Sequence, residues 1–295
     1  MDGILPLWKP RGMTSHDCVM KCRRLFKTKK VGHTGTLDPE VEGVLPICIG
    51  QATKIVPFLT NTKKTYITEV KLGTATDTED AQGSVIDEKK VCQLPSDEVI
   101  REVLEDFTGT ITQIPPMYSA VKVNGKKLYE YARENKTVER PKRQVTIYEI
   151  ELLSLGIDSF RLKVVCSKGT YIRTLCVDIG KKLGYPAHMS DLTRIETASF
   201  SEKNSVDFAT IEEAVKVNNQ NQLLFPIVKG VEHLGRLKVD EKTKAQILNG
   251  QKLSRPEEIV KPDPFAVIHE EQLLAIYQIH PENKEQIKPI RVFNS

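Results

Sequence analysis

The sequence predicts an α+β protein, and three observations carry that prediction. Strand-like runs outnumber helical ones, helices and strands do not alternate as a doubly wound parallel sheet requires, and the stretch after Phe225 breaks into short β-rich segments separated by glycines. The chain has 295 residues, 39% hydrophobic and 28% charged, which is ordinary globular composition and enough length for two domains.

Taken in order, Ile4 to Trp8 forms a short apolar run that reads as a buried strand, followed by a turn at Pro10 and Gly12. A helix begins near Ser15, which is placed to act as its N-cap. Val19, Cys22, Leu25 and Phe26 recur at three- and four-residue spacing and face the core, so Lys21, Arg23, Arg24 and Lys27 lie mostly outward. From Gly32 to Gly43 the chain reads GHTGTLDPEVEG, whose three glycines and one proline predict a tightly shaped loop rather than helix or strand. Val44 to Ile49 reads as a buried strand. Thr65 to Leu72 alternates, placing Tyr66, Thr68, Val70 and Leu72 on one face and turning Tyr66 inward.

A helix is predicted over Ser96 to Phe107, then strands over Gly109 to Ile114, Val145 to Leu155 and Phe160 to Cys166. Ser167 to Gly184 reads as a loop entering a helix, with Ile172, Leu175, Ile179 and Leu183 as its buried stripe and Gly184 as its stop. Gly230, Gly235 and Gly250 then separate short segments such as Phe265 to Ile268 and Leu273 to Ile279. The predicted domains are therefore residues 1–230 and a small β module over 231–295.

The net charge of +4 conceals strong segregation. Lys9 to Lys30 holds eight basic residues against Asp17 alone, a net of +7, and Lys122 to Arg143 carries a net of +5. Glu69 to Asp106 carries a net of −7. One basic face is what a protein presents to a polyanion, where each cation near a phosphate releases counterions; a merely solvated helix face is the plainer reading of the same pattern. No run approaches the roughly 18 apolar residues of a membrane span, and Met1 to Pro10 lacks the pattern of an export signal, so a cytoplasmic protein with no membrane partner is expected. The six cysteines are scattered without a CxxC pair, which predicts reduced thiols and no zinc ribbon.

Phosphate-loop, dinucleotide, zinc-protease and hydrolase motifs are absent, so those chemistries have no local support. An Asp held in a shaped loop serves as nucleophile or base when the backbone fixes it and a cation orients it, although Asp-Pro is also a common turn former. His33, five residues before Asp38, has two readings of the same kind: a hydrogen-bonded loop residue or an RNA contact.

The run GHTGTLDPEVEGVLPICIGQATK closely resembles the catalytic motif of the bacterial tRNA pseudouridine-55 synthases, the TruB family. LWKPRGMTSHD (Leu7 to Asp17) resembles that family's opening motif. KKTYITEVKLGTATDTED (Lys63 to Asp80), PPMYSAVKVNGKKLYEYAR (Pro115 to Arg133) and SKGTYIRTLCVDIG (Ser167 to Gly180) follow in the family's order. The tail resembles the family's PUA module. The resemblance implies a catalytic domain on a mixed, largely antiparallel sheet, and isomerisation of uridine 55 in the T loop of tRNA.

Matched residue by residue, it implies that Asp38 is the essential aspartate, that Tyr66 stacks on the target base and that Arg173 pairs with the aspartate. His33 corresponds to a histidine that helps displace loop nucleotides, and Leu192 to an apolar residue of the pocket. Lys9 and Tyr171, which lie in the matching motifs, are expected among the substrate-binding residues. Glu42 departs from the family, which more often has a small or hydroxyl residue there; this alters loop packing rather than chemistry. Because isomerisation exchanges no atoms or electrons with a second reactant, the resemblance implies neither metal nor cofactor. Its implied partner is tRNA, gripped at the T loop and acceptor stem by a monomer without an obligate protein partner. Two rival readings are an RNA-binding chaperone in which Asp38 is structural, and a uridine methyltransferase with a cysteine nucleophile.

Overall fold

The computed structural model describes residues 1–256 and 261–293, which fall into two compact units. The first comprises Met1–Pro39, Val44–Thr62 and the chain from Ala198 onward; the second comprises Glu40–Gly43 and Lys63–Thr197. Among the described residues no helix is long and apolar enough to cross a membrane.

The first unit opens with β1 (Gly3–Lys9), α1 (Ser15–Leu25), β2 (Val31–His33), β3 (Glu42–Ile49, its first two residues counted with the second unit) and α2 (Val56–Thr60). β1 and β3 fall on the two apolar runs read as buried strands, and both β1 and β2 pair with β3. The cap of α1 is Thr14, not Ser15: the Asp17 amide donates to the Thr14 hydroxyl at 3.0 Å, and the Thr14 amide donates back to the Asp17 carboxylate at 2.9 Å. This reciprocal pair satisfies donors that the helix start leaves open. Ser15 is 2% exposed and turned elsewhere, as described below. Lys21 is not a free outward cation either, since its ammonium pairs with Glu212 at 2.7 Å and lies 4.2 Å from the centre of the Phe208 ring.

The second unit runs through β4 (Lys64–Leu72), β5 (Thr74–Thr76), β6 (Val85–Glu88), α3 (Asp97–Glu105), β7 (Gly109–Gln113), β8 (Lys122–Val123), β9 (Lys126–Lys127) and α4 (Leu128–Arg133). It continues with β10 (Arg143–Leu155), β11 (Ser159–Cys166), α5 (Ile172–Lys182) and β12 (Ala187–Thr197). Its sheet has the order β12-β4-β11-β10-β7, antiparallel throughout. Glu42 and Gly43, at the start of β3, pair in parallel with Thr193 and Arg194 on β12, which makes the sheet mixed. The glycine-rich segment is thus a loop only in its middle: His33 closes β2 and Glu42 opens β3. Backbone pairing wins at both ends because Val31, Gly32 and His33 lie opposite Ile49, Cys48 and Ile47. Gly43 has no alternative residue, since at φ +123° an added Cβ would sit 2.2 Å from the Arg194 carbonyl oxygen.

β12 is absent from the sequence-based elements. Ser190, Asp191, Thr193, Arg194 and Glu196 interrupt its apolar positions, so the 187–197 stretch lacks the clean alternation of a half-buried strand.

Returning to the first unit, the chain forms β13 (Phe200–Ser201), α6 (Phe208–Lys216), β14 (Gly235–Lys238), α7 (Glu241–Leu248), β15 (Leu253–Ser254), β16 (Phe265–His269), β17 (Gln272–Ile279) and β18 (Gln286–Val292). The last five strands form one sheet in the order β14-β16-β17-β18-β15. Ala266, Ile268, Ile276 and Phe293 share a buried cluster with Ile4, Val44, Cys48 and Ile55.

Candidate active site

In the first unit the motif loop is held on either side of one acid. The Ser15 hydroxyl accepts from the Leu37 amide at 2.9 Å and donates to the Leu37 carbonyl at 3.1 Å. The Pro39 carbonyl accepts from the Gly12 amide and from the Lys9 ammonium, each at 2.9 Å. Lys9, fully buried, also donates to the Pro10 carbonyl at 2.9 Å. Leu37 and Val41, each 4% exposed, anchor the loop in the core. Residues 37 and 39 are therefore both fastened, while Asp38 between them is half-buried. That is how a backbone presents one carboxylate in a defined direction. At the loop entrance the Thr34 amide donates to the Pro46 carbonyl at 3.2 Å, and the Gly35 amide to Nδ1 of His33 at 3.3 Å. In the second contact Nδ1 of His33 is the acceptor.

In the second unit Tyr66, 8% exposed, lies on β4 opposite Val164 of β11 and Arg194 of β12. Two residues on, Thr68 lies opposite Leu192, also 8% exposed. Side chains directly opposite and those two apart share a face, so Tyr66, Thr68, Leu192 and Arg194 lie on one side of the sheet. The Thr68 hydroxyl lies 3.7 Å from the Cys176 sulfur of α5, so α5 covers that same face. Arg173 stands one turn before Cys176 on this helix and is 6% exposed. Tyr171, before the first helical residue, is clasped by Gln113, whose amide group accepts from its N–H at 3.0 Å and donates to its carbonyl at 3.1 Å. The Arg143 guanidinium lies 5.2 Å from the centre of the Tyr171 ring.

The Arg173 guanidinium donates to the Thr78 and Tyr118 carbonyls, each at 2.9 Å, and lies 3.7 Å from the Asp80 carboxylate. Two segments 40 residues apart in the chain thus meet on one side chain. The loop that bears Thr78 and Asp80 is itself closed: the Thr76 hydroxyl donates to the Asp80 carbonyl and the Thr78 hydroxyl to the Asp80 carboxylate, each at 2.6 Å. A planar guanidinium with five N–H donors suits such convergence, since it can serve several acceptors while holding one plane.

Lys9, His33 and Asp38 therefore belong to the first unit's loop and its supports. Tyr66, Tyr171, Arg173 and Leu192 belong to the second unit, where Tyr66 and Leu192 share a face with α5 above them. Sequence reasoning missed Ser15 as a loop support, Gln113 as the clasp of Tyr171, and Thr78, Tyr118 and Asp80 around Arg173. It also missed two buried cations on the Tyr66 face. Arg194 is 1% exposed, and Lys64 is 7% exposed, with burial first and Arg194 second lowering its pKa to about 8. The signal available before folding was that Ser15, Thr78, Asp80 and Tyr118 fall inside the motifs that resemble the family's, which says nothing of the partners each would meet.

The buried cysteines, all of the six but Cys92, oppose the methyltransferase reading. Burial pushes the thiols of Cys22, Cys48 and Cys176 up to about 12 and that of Cys166 to about 11, the reverse of what a thiolate nucleophile needs.

Comparison with known proteins gives a consistent result. Residues 23–172 match the TruB family pseudouridylate synthase N-terminal domain, and residues 173–235 match the tRNA pseudouridylate synthase B C-terminal domain. The tRNA pseudouridine synthase B of Oceanobacillus iheyensis is 63% identical, with 99% of this chain and 98% of that protein aligned. The Listeria innocua protein of the same description is 50% identical over 99% and 98% of the two chains. Among solved structures, a chain of a Cbf5-Nop10-Gar1 complex superposes with a TM-score of 0.77 at 28% identity, covering 99% of this chain and 84% of that one.

Proposed function

The chain belongs to the TruB family of pseudouridylate synthases, isomerases of uridine in tRNA, and from that premise we propose that its target is uridine 55 of the T loop and that Asp38 is the reacting carboxylate. The observation that carries the assignment is the loop in which Leu37 and Pro39 are both fastened to the scaffold while Asp38 is left half-buried. A carboxylate so placed reacts without first being ordered.

The reaction breaks the bond from ribose C1' to uracil N1 and forms one from C1' to C5, after which the C5 proton leaves. Asp38 acts at the ribose. Tyr66 stacks on the uracil and keeps it in place while it turns, with Leu192 as the apolar wall beside it. Arg173 supplies the positive charge with which the reacting carboxylate pairs. The uridine reaches these groups by leaving the T-loop stack, at a cost of a few kcal/mol of unstacking. Contacts to the RNA offset that cost. His33 helps to displace the loop nucleotides, Tyr171 meets the substrate, and Lys9 contributes through the loop it braces. Basic segment 122–143 grips the RNA backbone, and residues 231–295 form the PUA-like module that reaches toward the acceptor stem.

Asp38→Asn tests the assignment. Tritium release from C5-labelled uridine in tRNA is expected to fall on the order of 10⁴-fold, with tRNA binding retained. An active Asp38→Asn protein overturns it. Mapping of modified uridines in cellular tRNA with and without the protein tests the position, and an unchanged residue 55 refutes the T-loop target.

A further inference from the structure

Glu79 lies between Thr78 and Asp80, the two residues of its loop that hold Arg173, yet nothing above gives it a part. Its backbone is left-handed at φ +64°, an uncommon conformation for a residue with a Cβ, which persists where the surroundings enforce it. The surroundings do so here. The Glu79 amide donates to the Thr76 carbonyl at 3.2 Å, and its carbonyl accepts from the Met189 amide of β12 at 3.1 Å. The side chain turns inward. One carboxylate oxygen accepts from the Thr174 hydroxyl at 2.7 Å, next to Arg173 on α5, and the other lies 3.8 Å from the Arg140 guanidinium. Arg140 in turn donates to the Pro115 carbonyl at 3.0 Å, which closes the foot of the basic segment, and Arg173 donates to Tyr118 on the same foot.

We infer that Glu79 is a positioning residue for the isomerisation. Its carboxylate ties α5 to the foot of the 115–140 segment, and its left-handed turn aims the Thr78 carbonyl at Arg173, so that one acid sets the plane of that guanidinium. The inference rests on the proposed part of Arg173 in the reaction. It carries a consequence for RNA: the 115–140 segment and the Arg173 guanidinium are coupled through Glu79, so a grip on the segment is transmitted to the cation.

The charged groups facing Glu79 are Arg173 and Asp178 on α5 and Arg140 on the segment foot, with Asp80 beside it in the loop. Burial outweighs the Thr174 hydrogen bond and the two arginines, and Asp178 adds to it, so the carboxyl titrates above its ordinary 4.5. Acid therefore neutralises Glu79 earlier than a solvent-exposed glutamate.

The test compares tritium release by the wild-type protein and Glu79→Gln on a tRNA transcript from pH 5 to pH 8, alongside tRNA binding. At pH 8, kcat is expected to fall about tenfold with KM within about twofold, as the loss of one charge-assisted contact implies. The ratio of the two rates shrinks toward one as pH falls and the wild-type glutamate itself becomes neutral. Arg140→Gln reproduces the loss, and the double variant adds little to it. An unchanged kcat, or a rate ratio that is the same at every pH, overturns the inference. If Glu79→Gln does not fold, Arg140→Gln alone decides, and normal turnover in it has the same force. Arg173→Gln separates the premise: a fully active Arg173→Gln protein refutes the part given to Arg173, whereas an inactive one beside a normal Glu79→Gln refutes only the inference about Glu79.

Discussion

The loop around Asp38 and the loop around Glu79 are both short, polar and shaped by turns, yet they are held by different chemistry. In the first, a hydroxyl, an ammonium and an amide bond to main-chain groups at positions 37 and 39. In the second, Arg173, Asp80, Glu79 and Arg140 hold one another as well as the backbone. The Ser15 hydroxyl on Leu37 and the Gly12 amide on Pro39 do not titrate in the working pH range, so that part of the anchoring keeps its geometry across pH. A cluster of opposed charges in a half-buried setting is responsive, since each protonation changes what the neighbours feel. On the proposed reading, a carboxylate that acts in one direction suits the first, and a guanidinium coupled to the RNA-gripping segment suits the second.

The largest expected effect lies where the motif joins the sheet. Gly43→Ala forces a Cβ against the Arg194 carbonyl at a backbone angle that disfavours any side chain, and should cost about 3 kcal/mol. Urea unfolding measures it, and a cost below about 1 kcal/mol would show that this close approach is dispensable. Ser15→Ala strips both bonds from Leu37 and should cost about 2 kcal/mol, equally at pH 5 and pH 9. A loss that varies with pH would break the contrast between the loops.

Lys64 sharpens the charged side of the comparison. Its folded pKa of about 8 lies below the ordinary 10.5, so between those values the unfolded chain holds more protons and stability rises with pH. The slope from this group is at most about 1.4 kcal/mol per pH unit, and Lys64→Met should remove it. Unfolding curves at pH 7, 8, 9 and 10 decide the matter; parallel behaviour of both proteins would show that Lys64 titrates normally. The smallest effect is expected from Glu212→Gln, which removes a half-exposed partner from Lys21 and should cost below about 1 kcal/mol. A larger loss in thermal unfolding would mean that this surface pair carries more than its exposure allows.

The strands and helices whose apolar residues repeat cleanly were legible before folding: β3, β4, β11 and α5 lie where their periodicity places them. The cap of α1 was misplaced by one residue because Thr14 and Ser15 are equally good caps locally, and a distant amide, that of Leu37, claims Ser15. The family motifs singled out Asp38, Tyr66 and Arg173 as candidates, but not what surrounds them. No spacing rule links Thr78 and Tyr118 to Arg173, because they meet only after β12 and α5 have packed on β4.

From the order of its residues alone the chain determined its class, its basic and acidic stretches, and the motifs that identify its family, since these depend on composition, periodicity and local turn chemistry. Folding decided which polar groups meet. Ser15 became a brace, 187–197 became an inner strand despite its polar residues, and Glu79 came to bridge Thr174 and Arg140. The reason is physical: backbone periodicity is a property of neighbours along the chain, whereas hydrogen bonds and ion pairs between remote segments exist only once burial has brought those segments together and removed the water that each would otherwise have kept.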